Sequence, residues 1–213
     1  MLRFLGSIIE LIFIIVFPFV VLIRTAVYLH VEEKLIPWAC IGGGVIFTSI
    51  LIFLYLTIFY GNFSKKSRPS FKTKFLVAFA IVAIYSAHGL FYISGDNFKS
   101  AELRSEIRKV HPILRLSVST IAHLDKKLII TDGDRQPEDY AKMGLPSKKH
   151  SLHYKQSNGY AHAIDLRTNG RNEIRNFLVR TYFKLMGFQT LRHLGTADHL
   201  HISLKSHDNP YGK

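Results

Sequence analysis

Histidine carries most of the chemical information in this sequence: ten of its eleven histidines lie after position 87. The segment Thr196-Ala197-Asp198-His199-Leu200-His201-Ile202-Ser203-Leu204 alternates polar with apolar residues. Side chains on a strand repeat every two residues, so His199, His201 and Ser203 share one face and Leu200, Ile202 and Leu204 the other. Two imidazoles then face the same space. His-x-His alone suits a solvated strand face as readily as a metal site. His153 and Asp165 upstream turn the reading toward metal, because catalytic zinc commonly takes three protein ligands of nitrogen and oxygen type and keeps a fourth position for water.

Such residues need elements to position them. Periodicity predicts helices over Ser100 to Val110 and Pro112 to Leu124, a short strand from Leu128 to Thr131, a turn at Asp132-Gly133-Asp134, and a helix from Gln136 to Met143 ending at Gly144. Ala161 to Leu166 reads as a strand and Asn172 to Met186 as an amphipathic helix stopped by Gly187. Its apolar side holds Ile174, Phe177, Leu178, Tyr182, Leu185 and Met186. A last strand spans about His199 to Leu204. Helices interspersed with short strands predict an α+β domain with a small, mostly antiparallel sheet, whose strand order the pattern does not give.

The preceding residues belong to another solvent. The runs 4–23, 36–60 and 75–93 are each near the roughly 20 apolar residues that cross a hydrocarbon core. Three such runs without a polar face would find no surface to hide behind in a globular protein. An all-α membrane region over 1–94 is therefore expected, followed by a domain over 95–213. The division shows in the charge: residues 1–94 hold 8 basic and 3 acidic residues, and residues 95–213 hold 20 and 12. Lys65, Lys66, Arg68, Lys72 and Lys74 crowd the second connection with no acidic residue. The positive-inside rule puts that connection and the N terminus in the cytoplasm and the C-terminal domain outside. Glu10 and His88 lie near helix ends and within reach of the interface, and Gly42, Gly43 and Gly44 suit close helix packing. Of the net charge of +13, residues 95–213 contribute +8 (20 − 12), and there Lys and Arg are scattered among acidic residues rather than striped, which argues against nucleic acid and suits an anionic polymer or membrane surface. The single cysteine, Cys40, permits no intramolecular disulfide.

Ile130-Thr131-Asp132-Gly133-Asp134-Arg135, Ser151-Leu152-His153, Gly159-Tyr160-Ala161-His162-Ala163-Ile164-Asp165-Leu166 and Asp198-His199-Leu200-His201, in that order, resemble the D-alanyl-D-alanine carboxypeptidase and L-alanyl-D-glutamate endopeptidase family of zinc peptidases. The wider group includes lysostaphin and the Hedgehog signalling domain. The resemblance, over roughly Leu114 to Leu204, implies Zn²⁺ held by His153, Asp165 and His201. It implies Asp198 as catalytic base, with His199 as competitor, and Arg135 as the group that binds a substrate carboxylate or the developing oxyanion. Ser151 would support the site through a hydrogen bond. The family usually places its Asp seven positions after the first His, whereas twelve separate His153 from Asp165 here. Five extra residues around Tyr154 to Asn158 account for the difference. His162 is the second choice of ligand, but its odd spacing from Asp165 sends it to the opposite strand face.

The resemblance and topology together imply a multi-pass protein of a bacterial cytoplasmic membrane, with a periplasmic or extracellular domain that cleaves peptidoglycan stem peptides. The rival expectations are an inactive zinc-containing wall-binding or signalling module, and a channel or lysis protein whose function resides in the helices. Carboxypeptidase, dipeptidase and endopeptidase specificities are not distinguished by the sequence, nor is the oligomeric state.

Overall fold

The computed structural model describes residues 2–63, 69–142, 144, 146, 150–195 and 198–209. Three long helices come first: α1 (Leu2–Val31), α2 (Pro37–Phe63) and α3 (Phe71–Phe91). Each contains a stretch long and apolar enough to cross a membrane, namely Phe13–Val31, Pro37–Ile58 and Phe71–Phe91. The first runs eight residues beyond the expected end at Ile23, because nothing in Arg24 to Val31 breaks a helix. Ser70 caps α3 by accepting from the Thr73 N–H at 3.2 Å. Glycine allows α1 and α2 to approach closely. A Cβ on Gly44 would lie 2.6 Å from the Leu22 carbonyl oxygen, and one on Gly43 would meet the Leu29 side chain. Lys65, Lys66 and Arg68 lie outside the described residues, as does the Glu10 side chain.

Then follow α4 (Ala101–Glu106), α5 (Pro112–Leu124), β1 (Ile130–Asp132), α6 (Pro137–Lys142), β2 (Ala163–Arg167), α7 (Glu173–Met186), β3 (Gln189–His193) and β4 (His199–Ser203). The strands form one antiparallel sheet in the order β1-β2-β4-β3. The α+β expectation holds, and the three apolar helices precede it. The helix expected over Ser100 to Val110 is instead α4 followed by a 3-10 turn at Ile107–Lys109. α6 matches its expectation to Lys142, with Met143 outside the described residues. β3 has no counterpart in the expectation, because the sequence Gln-Thr-Leu-Arg-His offers little apolar alternation and no buried face.

α5 is buried on nearly every side, from Pro112 through Thr120. It touches α1, α2, α3 and α7. A Cβ on Gly89 would come within 2.7 Å of Leu116, so α3 and α5 meet closely. Hydrogen bonds tie α5 to its neighbours: Thr120 Oγ1 lies 2.6 Å from the Tyr85 hydroxyl, and the Ser117 carbonyl accepts from the Tyr182 hydroxyl at 2.9 Å, while Arg115 Nε is buried without a partner among the described residues. One buried apolar cluster therefore runs from Leu22, Ile23 and Cys40 through Leu114 and Leu116 to Ile164, Leu166, Leu200 and Ile202.

α7 departs from its expected orientation. Val179, Phe183 and Met186 enter the core, and Tyr182 reaches α5, while Ile174, Phe177, Leu178 and Leu185 remain more than half exposed. The helix carries two apolar stripes rather than one. It ends at Gly187, whose φ of +96° favours glycine and where a Cβ would come within 3.0 Å of the Arg24 and Val27 side chains of α1.

Candidate metal centre

The sheet register assembles the site. β2 pairs with β4 so that Asp165 stands opposite His201, and β1 places Asp132 opposite Asp165 through an irregular step. His153 comes from the preceding loop, which folds back so that the ring stands over β2 and β4. The chain from Leu152 turns back on itself to His162. The turn is closed by the His162 N–H donating to the Leu152 carbonyl at 2.7 Å and the Gln156 N–H to the Tyr160 carbonyl at 3.0 Å. Gly159, at φ +81°, takes the left-handed turn position. Gln156 ties the turn down by donating to the Ser151 and Tyr154 carbonyls and accepting from the Ser206 hydroxyl.

Three donor atoms converge as a result. His153 Nε2 lies 3.2 Å from His201 Nδ1 and 3.4 Å from Asp165 Oδ1, and His201 Nδ1 lies 2.8 Å from the same oxygen. Metal–ligand bonds of about 2.0–2.1 Å in a tetrahedral arrangement separate neighbouring donors by about 3.3 Å, so the spacing fits a metal ion. His153 Nδ1 donates to the Gly133 carbonyl at 2.8 Å, which fixes the ring and leaves Nε2 as the donor. His201 Nε2 is buried without a hydrogen-bond partner among the described residues. All three side chains are buried. Together they can hold a metal ion.

Charge in the site is tightly coupled. Burial opposes a charge on His153, but the Asp165 and Asp132 carboxylates outweigh it and raise the imidazole pKa. Burial likewise opposes ionisation of Asp165, yet His153 and His201 hold its carboxyl well below the usual range.

The other predicted residues surround this triad unequally. Arg135 places Nη2 3.6 Å from Asp165 Oδ2, pairs with Asp132, and lies with its guanidinium carbon 4.9 Å from the Tyr140 ring centre. Ser151 accepts from the His153 N–H and the Tyr140 hydroxyl, both at 3.2 Å. His199 Nε2 lies 3.7 Å from Asp165 Oδ2, with about a quarter of its side chain exposed, and its ring stacks on His193. Asp198 is engaged elsewhere. It accepts from the Thr168 hydroxyl at 2.6 Å and from Arg192 Nε and Nη2 at 3.1 and 2.7 Å. These hydrogen bonds, Arg192 first, hold its carboxyl down at about 2. Arg192 lies on the unexpected β3, so the sequence offered no signal for this engagement. Asp132 was legible, standing three residues before Arg135 in the quoted motif.

His162 stands apart from the triad, on the other side of β2, beside His30 and His111. Burial and the neighbouring His30 push its pKa down to about 4. No protein-family model, curated protein or solved structure matches this chain.

Proposed function

We propose that this protein is a membrane-anchored zinc metallopeptidase that hydrolyses peptide bonds in the stem peptides of peptidoglycan. The observation that carries the reading is the convergence of His153 Nε2, Asp165 Oδ1 and His201 Nδ1 at metal-site spacing. Two neutral imidazoles and one carboxylate form the nitrogen and oxygen set of catalytic zinc sites. Bound zinc would supply an acidified water and polarise the scissile carbonyl.

The chain's own groups divide the remaining work. His199, on the same strand face as His201 and partly open to solvent, is the side chain best placed to accept the water's proton. Asp198, paired with Arg192 and Thr168, is the weaker candidate for base and instead ties β4 to β3. Arg135 retains guanidinium donors beyond those that Asp132 accepts, and it can meet a substrate carboxylate or the oxyanion beside Asp165. A partly exposed base next to the ligands favours an enzyme over an inactive zinc-holding module.

Topology supports the substrate class. α1 and α3 both deliver their C-terminal ends to the domain, so the α2–α3 connection lies at the far end of the helices. Lys65, Lys66, Arg68, Lys72 and Lys74 stand on that connection and at the start of α3. With that end in the cytoplasm, the domain faces the wall polymer.

The test is to incubate the full-length protein in detergent or lipid nanodiscs with purified peptidoglycan, with and without chelator, and to weigh the released fragments. Release of peptide fragments that stops on chelation is the expected result. Intact peptidoglycan from a zinc-loaded protein would leave the inactive zinc module as the reading.

A further inference from the structure

A second group of metal-ligating side chains lies where the C-terminal end of α1 meets the domain. His30 belongs to the last turn of α1, His111 caps the N-terminus of α5, and His162 immediately precedes β2. The ring centres of His30 and His111 are 4.7 Å apart, those of His111 and His162 also 4.7 Å, and those of His30 and His162 5.4 Å. One ring nitrogen from each lies within 4.8 Å of the others. The residues are 3%, 0% and 1% exposed.

Buried polar atoms are normally hydrogen-bonded, so exceptions carry information. His30 Nδ1 and His111 Nε2 are buried without a hydrogen-bond partner among the described residues. The other nitrogen of His30, Nε2, donates to the Lys205 carbonyl at 2.9 Å, which leaves Nδ1 with a bare lone pair. A ring held by one nitrogen and open at the other is how histidine is presented to a metal. His162 Nε2 is held by the Asn158 amide, whose nitrogen and oxygen lie 2.9 and 3.2 Å away. Its Nδ1 lies 3.3 Å from the Lys205 carbonyl, a long contact. Ligation through Nδ1 moves the ring proton to Nε2, where the amide oxygen of Asn158 can accept it. His111 Nδ1 lies 3.3 Å from the Ile113 N–H. Ligation through Nε2 gives up that weak cap at an N-terminus where Pro112 has no N–H to satisfy.

We propose that His30, His111 and His162 form a second, structural transition-metal site that fastens the end of α1 to the domain. Three neutral imidazoles with no carboxylate suit zinc, copper, nickel or cobalt and not magnesium or calcium. Burial of all three rings keeps the ion from a substrate, so it would hold chain segments together, with a water as the fourth ligand that a structural site requires. The segments joined are a long apolar helix, the central helix α5 and the strand that carries Asp165 three residues further on. The ion would therefore make the setting of the first site depend on the docking of the helices.

The test uses full-length protein in detergent, stripped with chelator, reloaded with Zn²⁺ alone and assayed by elemental analysis. Two ions per chain are expected in the parent protein, one in His201→Ala, and none in the double variant His201→Ala/His111→Gln. If His111→Gln fails to fold, His30→Gln replaces it. A rise in Tm on adding Zn²⁺ to the His201→Ala protein gives a readout that needs no further substitution. One ion in the parent protein and none in His201→Ala, or a Tm that Zn²⁺ leaves unmoved in His201→Ala, would overturn the proposal. One ion retained in both proteins would support this site while removing the first. Metal content and Tm do not depend on hydrolysis, so a protein without peptidase activity would leave the proposal standing.

Discussion

His199 and Asp198 are adjacent in sequence yet occupy different electrostatic surroundings, and that difference separates a base from a tether. Arg192 and Thr168 hold the Asp198 carboxyl down at about 2, which makes it a poor proton acceptor near neutral pH. His199→Ala should therefore keep its zinc and lose about 10²–10⁴-fold in kcat, or roughly 3–5 kcal/mol of transition-state stabilisation. Asp198→Asn should keep most of its activity and lower stability by about 1 kcal/mol through the weakened tie to Arg192. Kinetics, metal content and melting of the two variants, measured side by side, check this. An active His199→Ala beside an inactive Asp198→Asn would return the role of base to the carboxylate. A pH dependence follows from the same site. His153 has a raised pKa in the metal-free protein, and zinc takes only the deprotonated ring. Zinc affinity should thus rise as pH passes upward through the pKa of His153. Below that pKa it should fall by up to about tenfold per pH unit for each proton expelled. Titration of the stripped protein with Zn²⁺ at several pH values gives the slope, and a flat profile would contradict the assignment.

At the scale of elements, α7 is the helix whose role its sequence left half stated. Its core stripe of Val179, Phe183 and Met186 packs inward, and its second stripe of Ile174, Phe177, Leu178 and Leu185 faces out. Arg175 and Lys184 lie at the margins of that second stripe, as on a helix that rests on a bilayer surface. A fluorophore on cysteine at Leu178, in nanodiscs, should be quenched by a quencher carried on lipid. One at Lys155, in the turn before β2, should not. Equal quenching at both positions would remove α7 from the bilayer surface. The Lys155–Ala161 turn makes a different point. Twelve positions separate His153 from Asp165, yet closure between Leu152 and His162 brings His153 back over the sheet. A loop insertion whose ends return to the same pairing costs little, since loop-closure entropy grows slowly with length.

For the whole molecule, the three apolar helices and the α+β domain share one buried cluster through α5. Freed from α1–α3, residues 95–213 would expose Leu116 and its neighbours on α5 to water. That fragment should aggregate or melt without a cooperative transition, whereas the full chain in detergent should melt cooperatively. A soluble, cooperatively folding fragment would show that α5 repacks without the helices. Orientation is read by reporters active only outside the membrane: fusion after Lys213 should give activity and fusion near Lys66 none. The opposite pattern would put the domain in the cytoplasm and remove peptidoglycan as substrate.

Local periodicity determined a good deal of this protein. Apolar runs near membrane length marked α1, α2 and α3, and the period of two placed His199 with His201 and turned His162 away from Asp165. These readings succeed because strand and helix geometry fixes, within a few residues, which side chains share a face. The tertiary structure decided what depends on pairing across long stretches of chain. The partner of Asp198 sits on β3, a strand that no alternation announced. The outward stripe of α7 looks like core in sequence, because an apolar residue does not state which surface will cover it. His30 joins His111 and His162 only because α1 continues past Ile23 and docks against the domain, and no spacing rule relates residues that packing alone brings together.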